Sequence, residues 1–184
     1  ATVLLVAGAI FFELLIGVSL GLIGAVRRNS RTDRVLTVAA FVVVSAPQFI
    51  VGILLLYVFA VYLNWFPMGG FGHLSNLFLP AFTLGILGAG WYARLIRSSM
   101  IDVLRQDFVR TARAKGLRPS AILFVHSLPN AILPIVALVG SDIGYFMSQT
   151  VVVESVFGWP GIGQLAWQAI QRIDIPIIMG VTIV

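Results

Sequence analysis

The chain has 184 residues, with twelve lysines and arginines against seven aspartates and glutamates, and it is 59% hydrophobic and only 10% charged. Soluble domains average about 25% charged residues, so this chain has too few polar groups to cover a water-facing surface and is expected to be an integral membrane protein. It has no cysteine, which excludes disulfides and thiolate metal sites.

A bilayer core of about 30 Å takes roughly 20 apolar residues of helix. Residues 2–26 meet that length, interrupted only by Glu13. They lack a cationic start and a small-residue cleavage site, so a span is expected there and not a signal peptide. Residues 35–65 are longer than a span needs and contain Pro47, which predicts tilt or a kink. Residues 77–100 form the next span, apolar to Leu95. From 120 to 153 the apolar run is too long for one span and is cut by Pro129 and Pro134. It is expected to divide into an interfacial helix at 120–128 and a span at 131–151, with Asn130 as N-cap and Pro134 in the first turn. A last span starts at Pro176. Ala1 is not methionine and Val184 lies in an apolar run, so the sequence is expected to be a piece of a longer chain.

Basic residues set the orientation. Arg27, Arg28, Arg31 and Arg34 fall in loop 27–34, and Arg94, Arg97, Arg105, Arg110, Arg113, Lys115 and Arg118 fall in 94–118. Only Arg172 lies elsewhere. Both regions are expected in the cytoplasm, with 64–76 and 154–174 outside. Trp65, Trp159 and Trp167 then fall at the outer interface, rings buried and N–H groups wet. The positive-inside bias accounts for the net charge of +5, and no aromatic stacking platform suggests nucleic acid.

Residues 107–116, DFVRTARAKG, form a short capped helix on this reading. Asp107 is the N-cap, 108–115 make two turns through Thr111 and Ala114, and Gly116 closes the helix at positive φ. Arg113 and Lys115 in the last turn suit the helix dipole. Phe108 and Ala112 make a narrow apolar face, with Arg110 and Arg113 on another side. So short a helix is marginal alone. It must pack on something, either an anionic lipid surface or a soluble partner.

Two carboxylates fall within spans, where an ionised acid is unfavourable unless paired or hydrated. Asp142, Tyr145 and Gln149 share one helix face and are candidates for the lining of a translocation pathway. Glu13 is a second candidate, and the alternative is that Asp142 pairs with a polar group on a partner subunit or is protonated. His73 and His126 fall on opposite sides of the membrane and suggest no metal site. There is no phosphate loop ending in Gly-Lys-Ser/Thr and no nucleophile–base set, so neither ATP binding nor catalysis is expected of this chain.

Near the C-terminus, Gly158, Gly161 and Gly163 allow a tight turn about Trp159-Pro160, and Pro160 is expected to start a flat helix through Gln171. Ile162, Leu165, Ala166, Ala169 and Ile170 form its expected buried stripe. Gln164, Gln168, Gln171 and Arg172 would face water or a docking partner, with a passive interfacial helix anchored by Trp167 as the alternative.

These segments resemble a known family. Permease subunits of ABC importers share a cytoplasmic loop reading Glu-Ala-Ala, three residues, Gly, nine residues, Ile, one residue, Leu-Pro. Aligned on Gly116, this chain has Arg110, Thr111 and Ala112 in the first places and His126, Leu128 and Pro129 in the last. The glutamate and isoleucine are absent. VRTARAKGL with HSLPNAILP is similar to the dipeptide, oligopeptide and nickel branch. So are GAVRRNSRTDRVL, VSAPQFIVGILL, YARLIRSSMIDVLRQDFVRTARAKG and VVVESVFGWPGIGQLAWQAIQRIDIP. The likeness covers essentially the whole chain and is specific to the branch, not to a substrate.

The resemblance implies an all-α, polytopic transmembrane bundle of the type I importer permease kind, in a bacterial or archaeal inner membrane. Residues 1–184 would be part of one permease domain of about five spans, the last truncated, with a coupling loop at about 101–130. Residues 107–116 would be the coupling helix, held in a groove of a cytoplasmic ATPase. The implied partners are a second permease, two ATPase domains carrying ATP and Mg, and an extracytoplasmic binding protein. The implied cargo is a di- or oligopeptide, with nickel or glutathione as alternatives, moved by alternating access. The rival from another class is an ion-gradient-driven carrier using Glu13 and Asp142 as a proton relay, which has no need of the loop 107–134.

Overall fold

The computed structural model describes residues 1–183, which form nine α-helices and no strand among the described residues. Helix α1 (Thr2–Val26) occupies the range its composition predicts. It packs along α4 (Leu74–Val103). In lipid, bringing two helices together removes little surface from water, so association depends on close packing. Glycines on α1 supply it: Gly8 meets Ala81, Gly17 meets Tyr92, Gly21 meets Ala93 and Ile96, and Gly24 meets Arg97. The pairing advances in step along both helices, which therefore run parallel.

Between them lie α2 (Arg31–Ser45) and α3 (Gln48–Leu55), the latter continued by π-helical turns over Leu56–Tyr62. Ser30 caps α2 by accepting the Asp33 N–H at 3.2 Å. One kinked span was expected over 35–65, but the structure breaks it. Ala46, directly before Pro47, takes extended backbone with ψ 133°, as the clash with the proline ring favours. The helices on either side then differ in direction by 103°.

After the short helices α5 (Asp107–Ala114) and α6 (Pro119–Ala121), π-helical turns over Ile122–Ser127 lead without interruption into α7 (Leu128–Phe157). This corrects the expected division at 128–131. Pro129 lies in the first turn of α7, directly after the π-helical stretch, where the looser winding takes up a ring that would clash in a regular helix. Asn130 is no cap: its side-chain amide donates to the His126 carbonyl at 2.7 Å. Pro134 lies inside α7 and not in its first turn. α7 ends at Gly158 in the left-handed region, φ 59°, and is followed by α8 (Ile162–Arg172) and α9 (Ile175–Ile183). Three helical stretches are long and apolar enough to cross a membrane, Thr2–Val26, Leu74–Val103 and Pro119–Phe157, with the bent α2–α3 pair a fourth.

The two basic regions meet at one end of the bundle. Arg97 Nε and Nη2 donate to the two Asp33 oxygens at 2.6 and 2.7 Å. The Arg97 hydrogen bond, with help from the Asn29 N–H, holds the Asp33 carboxyl below the ordinary carboxylate range. The orientation has a direct test in this cysteine-free chain. Single cysteines at Arg28 and Ser75, both exposed, are expected to react with an impermeant thiol reagent from opposite sides of the membrane. Equal reaction in intact cells would overturn the assignment.

Candidate functional site

The basic insertion forms the short helix α5, ended by Gly116 at φ 73°. Nothing lies within 4 Å of a Cβ built on Gly116, so glycine is needed there for conformation and not for space. Two details differ from expectation. Gln106 is the N-cap and Asp107 is the first helical residue without a side-chain cap bond. The apolar face is Val109 with Ala112, both buried against Ile122 and Leu104, while Phe108 is 38% exposed. The face turned because the helix packs on its own chain. Thr111 bonds the Asp107 carbonyl at 3.0 Å, and Arg110, Arg113, Ala114 and Lys115 are exposed. The helix thus presents a cationic surface on a base the protein itself supplies.

All four pathway candidates converge. Glu13 from α1 and Asp142, Tyr145 and Gln149 from α7 line one open-sided cavity of about 680 Å³, to which α4 and the α2–α3 break contribute the other walls. Irregular backbone at membrane depth is tolerated where it lines a cavity, and the break presents Ala46 and Gln48 to this one. Asp142 accepts a hydrogen bond from the buried Tyr92 hydroxyl. Glu13 is only 2% exposed and lies against Gly88, where any Cβ would collide with its carboxylate. Tyr92 and Gln48 were not foreseen; Tyr92 is hard to find by sequence, since its partner is 50 residues away.

The 154–174 segment is built around a residue that sequence reasoning also missed. Glu154 is fully buried. Its Oε1 accepts the Thr2 hydroxyl at 2.7 Å and its Oε2 accepts the Gln164 N–H at 3.0 Å, while the Ile162 N–H donates to Thr2 Oγ1 at 2.9 Å. The carboxylate thereby caps α8, whose own N-cap, Gly161, has no side chain. An anion is favoured at this positive end. α8 begins at Ile162 and not at Pro160, and its buried residues are Gly163 and Ala169, whereas Leu165 and Ile170 are 46% and 57% exposed. Glycine is required at 163 because a Cβ would fall 2.5 Å from the Val151 Cα and 2.8 Å from its N, backbone atoms that cannot move aside. Trp159 departs furthest from expectation. It is 1% exposed, packed edge-on to Phe71 at 5.0 Å, and its Nε1 has no partner. Gln168, Gln171 and Arg172 are exposed and Gln164 is half-buried.

Residues 17–184 match the family model of the binding-protein-dependent transport system inner membrane component. The chain belongs to that family. This inner-membrane component is 45% identical over its whole length to a Brucella ovis protein provisionally named a peptide permease, covering 60% of it. It is 38% identical over its whole length to the oligopeptide transport system permease protein AppB of Bacillus subtilis, covering 61% of that chain. It is 40% identical over 96% of its length to the glutathione transport system permease protein GsiC of Pectobacterium atrosepticum, covering 56% of it. The inner-membrane component therefore spans about 60% of the length of these relatives. An inward-facing structure of the MetNI methionine ABC transporter shares its fold, with a TM-score of 0.81 at 18% identity over 99% of this chain and 83% of that one.

Proposed function

We propose that the chain is the membrane-spanning permease subunit of an ATP-driven importer of di- or oligopeptides. It works with a second permease, two cytoplasmic ATPase domains that carry ATP and Mg, and an extracytoplasmic binding protein. α5 is the coupling helix, the cavity holding Glu13, Asp142, Tyr145 and Gln149 is part of the pathway, and the Gln164, Gln168, Gln171 and Arg172 side of α8 receives the binding protein. The observation that carries the reading is α5, a two-turn cationic helix with a buried base and an exposed face in a member of this family. The peptide and glutathione permeases among its relatives favour peptide cargo over nickel.

The assembled transporter tests it through the stimulation of ATP hydrolysis by loaded binding protein. Gly116→Val places a β-branched residue at φ 73°, in a region that such residues resist. It is expected to leave the complex assembled but to lower stimulation and uptake at least about tenfold, the effect of roughly 1.4 kcal/mol of lost coupling. Gln168→Glu with Arg172→Glu is expected to weaken stimulation while leaving basal hydrolysis intact. A cysteine at Ala114, which is exposed, should crosslink to the ATPase. Normal uptake by the Gly116 variant together with crosslinks to lipid alone would defeat the proposal.

A further inference from the structure

Most of the chain's buried acids have partners. Asp33 pairs with Arg97, and Glu154 holds Thr2 and the Gln164 N–H. The two acids in the cavity differ. Among the described residues the Asp33–Arg97 contact is the only ion pair, so neither Glu13 nor Asp142 meets a cation of its own chain. Glu13 is 2% exposed and its Oε2 has no hydrogen-bond partner. Asp142 accepts only the neutral Tyr92 hydroxyl, which stabilises its charge without balancing it. Arg94 is not itself on the cavity wall; its guanidinium is held between the Phe41 ring at 4.6 Å and the Trp91 ring at 5.2 Å to the centroids. A carboxylate at membrane depth is unfavourable unless it is paired or hydrated. The cavity therefore sets two acids side by side with no positive charge of this chain between them, a place where one could bind.

The rest of the wall narrows what that charge is. Tyr92 and Tyr145 contribute aromatic rings, which attract cations, whereas the Trp91 ring already carries the Arg94 guanidinium. Gln48 Nε2 is a buried donor without an acceptor. No group of three or more metal-ligating His, Cys, Asp or Glu side chains occurs among the described residues, so a resident divalent ion is not indicated. Taking the cavity as the translocation pathway, as proposed above, we infer that it recognises a primary ammonium group, the free amino end of the peptide in transit, between Glu13 on α1 and Asp142 on α7. Gln48 supplies an N–H for the carbonyl oxygen next to that ammonium. Both features belong to every unblocked peptide whatever its side chains, so the site selects for a free amino end and not for a sequence.

The absence of cysteine makes the cavity addressable. In the assembled transporter, with any partner cysteines replaced, Ser141→Cys puts a single thiol of this chain on the cavity wall. Its modification by a cationic trimethylammonium and an anionic sulfonate methanethiosulfonate is followed by the mass of this chain. After correction for intrinsic reactivity, the cationic reagent is expected to react at least about tenfold faster, as in a cleft lined by one sign of charge. Glu13→Gln or Asp142→Asn is expected to bring the ratio below about threefold. Tri-alanine should slow the modification and N-acetyl-tri-alanine should not. No reaction with either reagent in any nucleotide state would show a cavity closed to water and would overturn the pathway reading together with this inference. Reaction without charge preference, or equal protection by both peptides, would leave the pathway standing and overturn the ammonium site. That is the result if a cation of the second permease fills it. Should the Glu13 variant fail to assemble, charge preference and peptide protection in the Ser141→Cys protein alone still decide.

Discussion

Replacing Glu154 by alanine is expected to free α8 from the bundle. The substitution leaves the Thr2 hydroxyl and the Gln164 N–H without their acceptors and opens a hole between Gly161 and Gly163. Each buried donor left unmade costs about 1–3 kcal/mol, so a total of about 3 kcal/mol is expected, before any cavity term. In hydrogen exchange this is about a hundredfold loss of amide protection across α8, with α1 and α4 little changed. Glu154→Gln keeps the shape and one acceptor and should lose roughly a third as much, since it gives up the charge at the helix end. Unchanged α8 protection in the alanine variant would show that the cap rests on Trp159 packing alone.

The second large effect is expected at Gly21. A Cβ there lies 2.6 Å from the Ala93 carbonyl oxygen and 2.7 Å from Ile96 Cβ, and neither is the free end of a flexible chain. Gly21→Leu must therefore push α1 and α4 apart. Overpacking of this kind costs about 1–3 kcal/mol, and the upper end applies because neither a backbone carbonyl nor the branched Cβ of Ile96 can swing aside. Gly140→Ala on α7, where a Cβ meets nothing within 4 Å, should be neutral or slightly stabilising. Titration of both variants with denaturing detergent gives the comparison. Equal stabilities would remove the α1–α4 contact as a determinant of the fold.

What was legible in the residues follows from how local the determinants are. α1 is an apolar run interrupted only by Glu13 and closed by arginines, and Gly116 closes α5 by a conformational rule that needs no tertiary partner. The pathway candidates came from polarity inside apolar helices, which is costly wherever it occurs. The misses depended on distant contacts. Which side of α5 is buried depends on Ile122 and Leu104, so periodicity in eight residues chose Phe108 where packing chose Val109. Pro47 permits either a kink or a break, and the fold around Gln48 decides between them. Trp159 was placed at the interface by its residue type, but the loop before α4 folds over it, tied by Gly70 N–H to Phe157 O at 3.2 Å. Glu154 looked like one more surface acid, since its partner Thr2 lies 152 residues away. The spacing of Gly17, Gly21 and Gly24 was a visible sign of close helix approach and went unread.

The unbroken run from Pro119 to Phe157 bears on what α5 touches. It contains 39 residues, about 58 Å at 1.5 Å per residue, and about 55 Å along the membrane normal if tilted by a common 20°. A bilayer with its head groups is only about 40–45 Å thick. With Glu154 held near one surface by the start of α1, residues 119–154 reach about 50 Å along the normal, so the opposite end overshoots the other surface by about 5–10 Å. α5 is packed at that end, on Ile122. Its arginines are thus carried past the lipid phosphates into water, at a height where a protein can reach them and a flat membrane surface cannot.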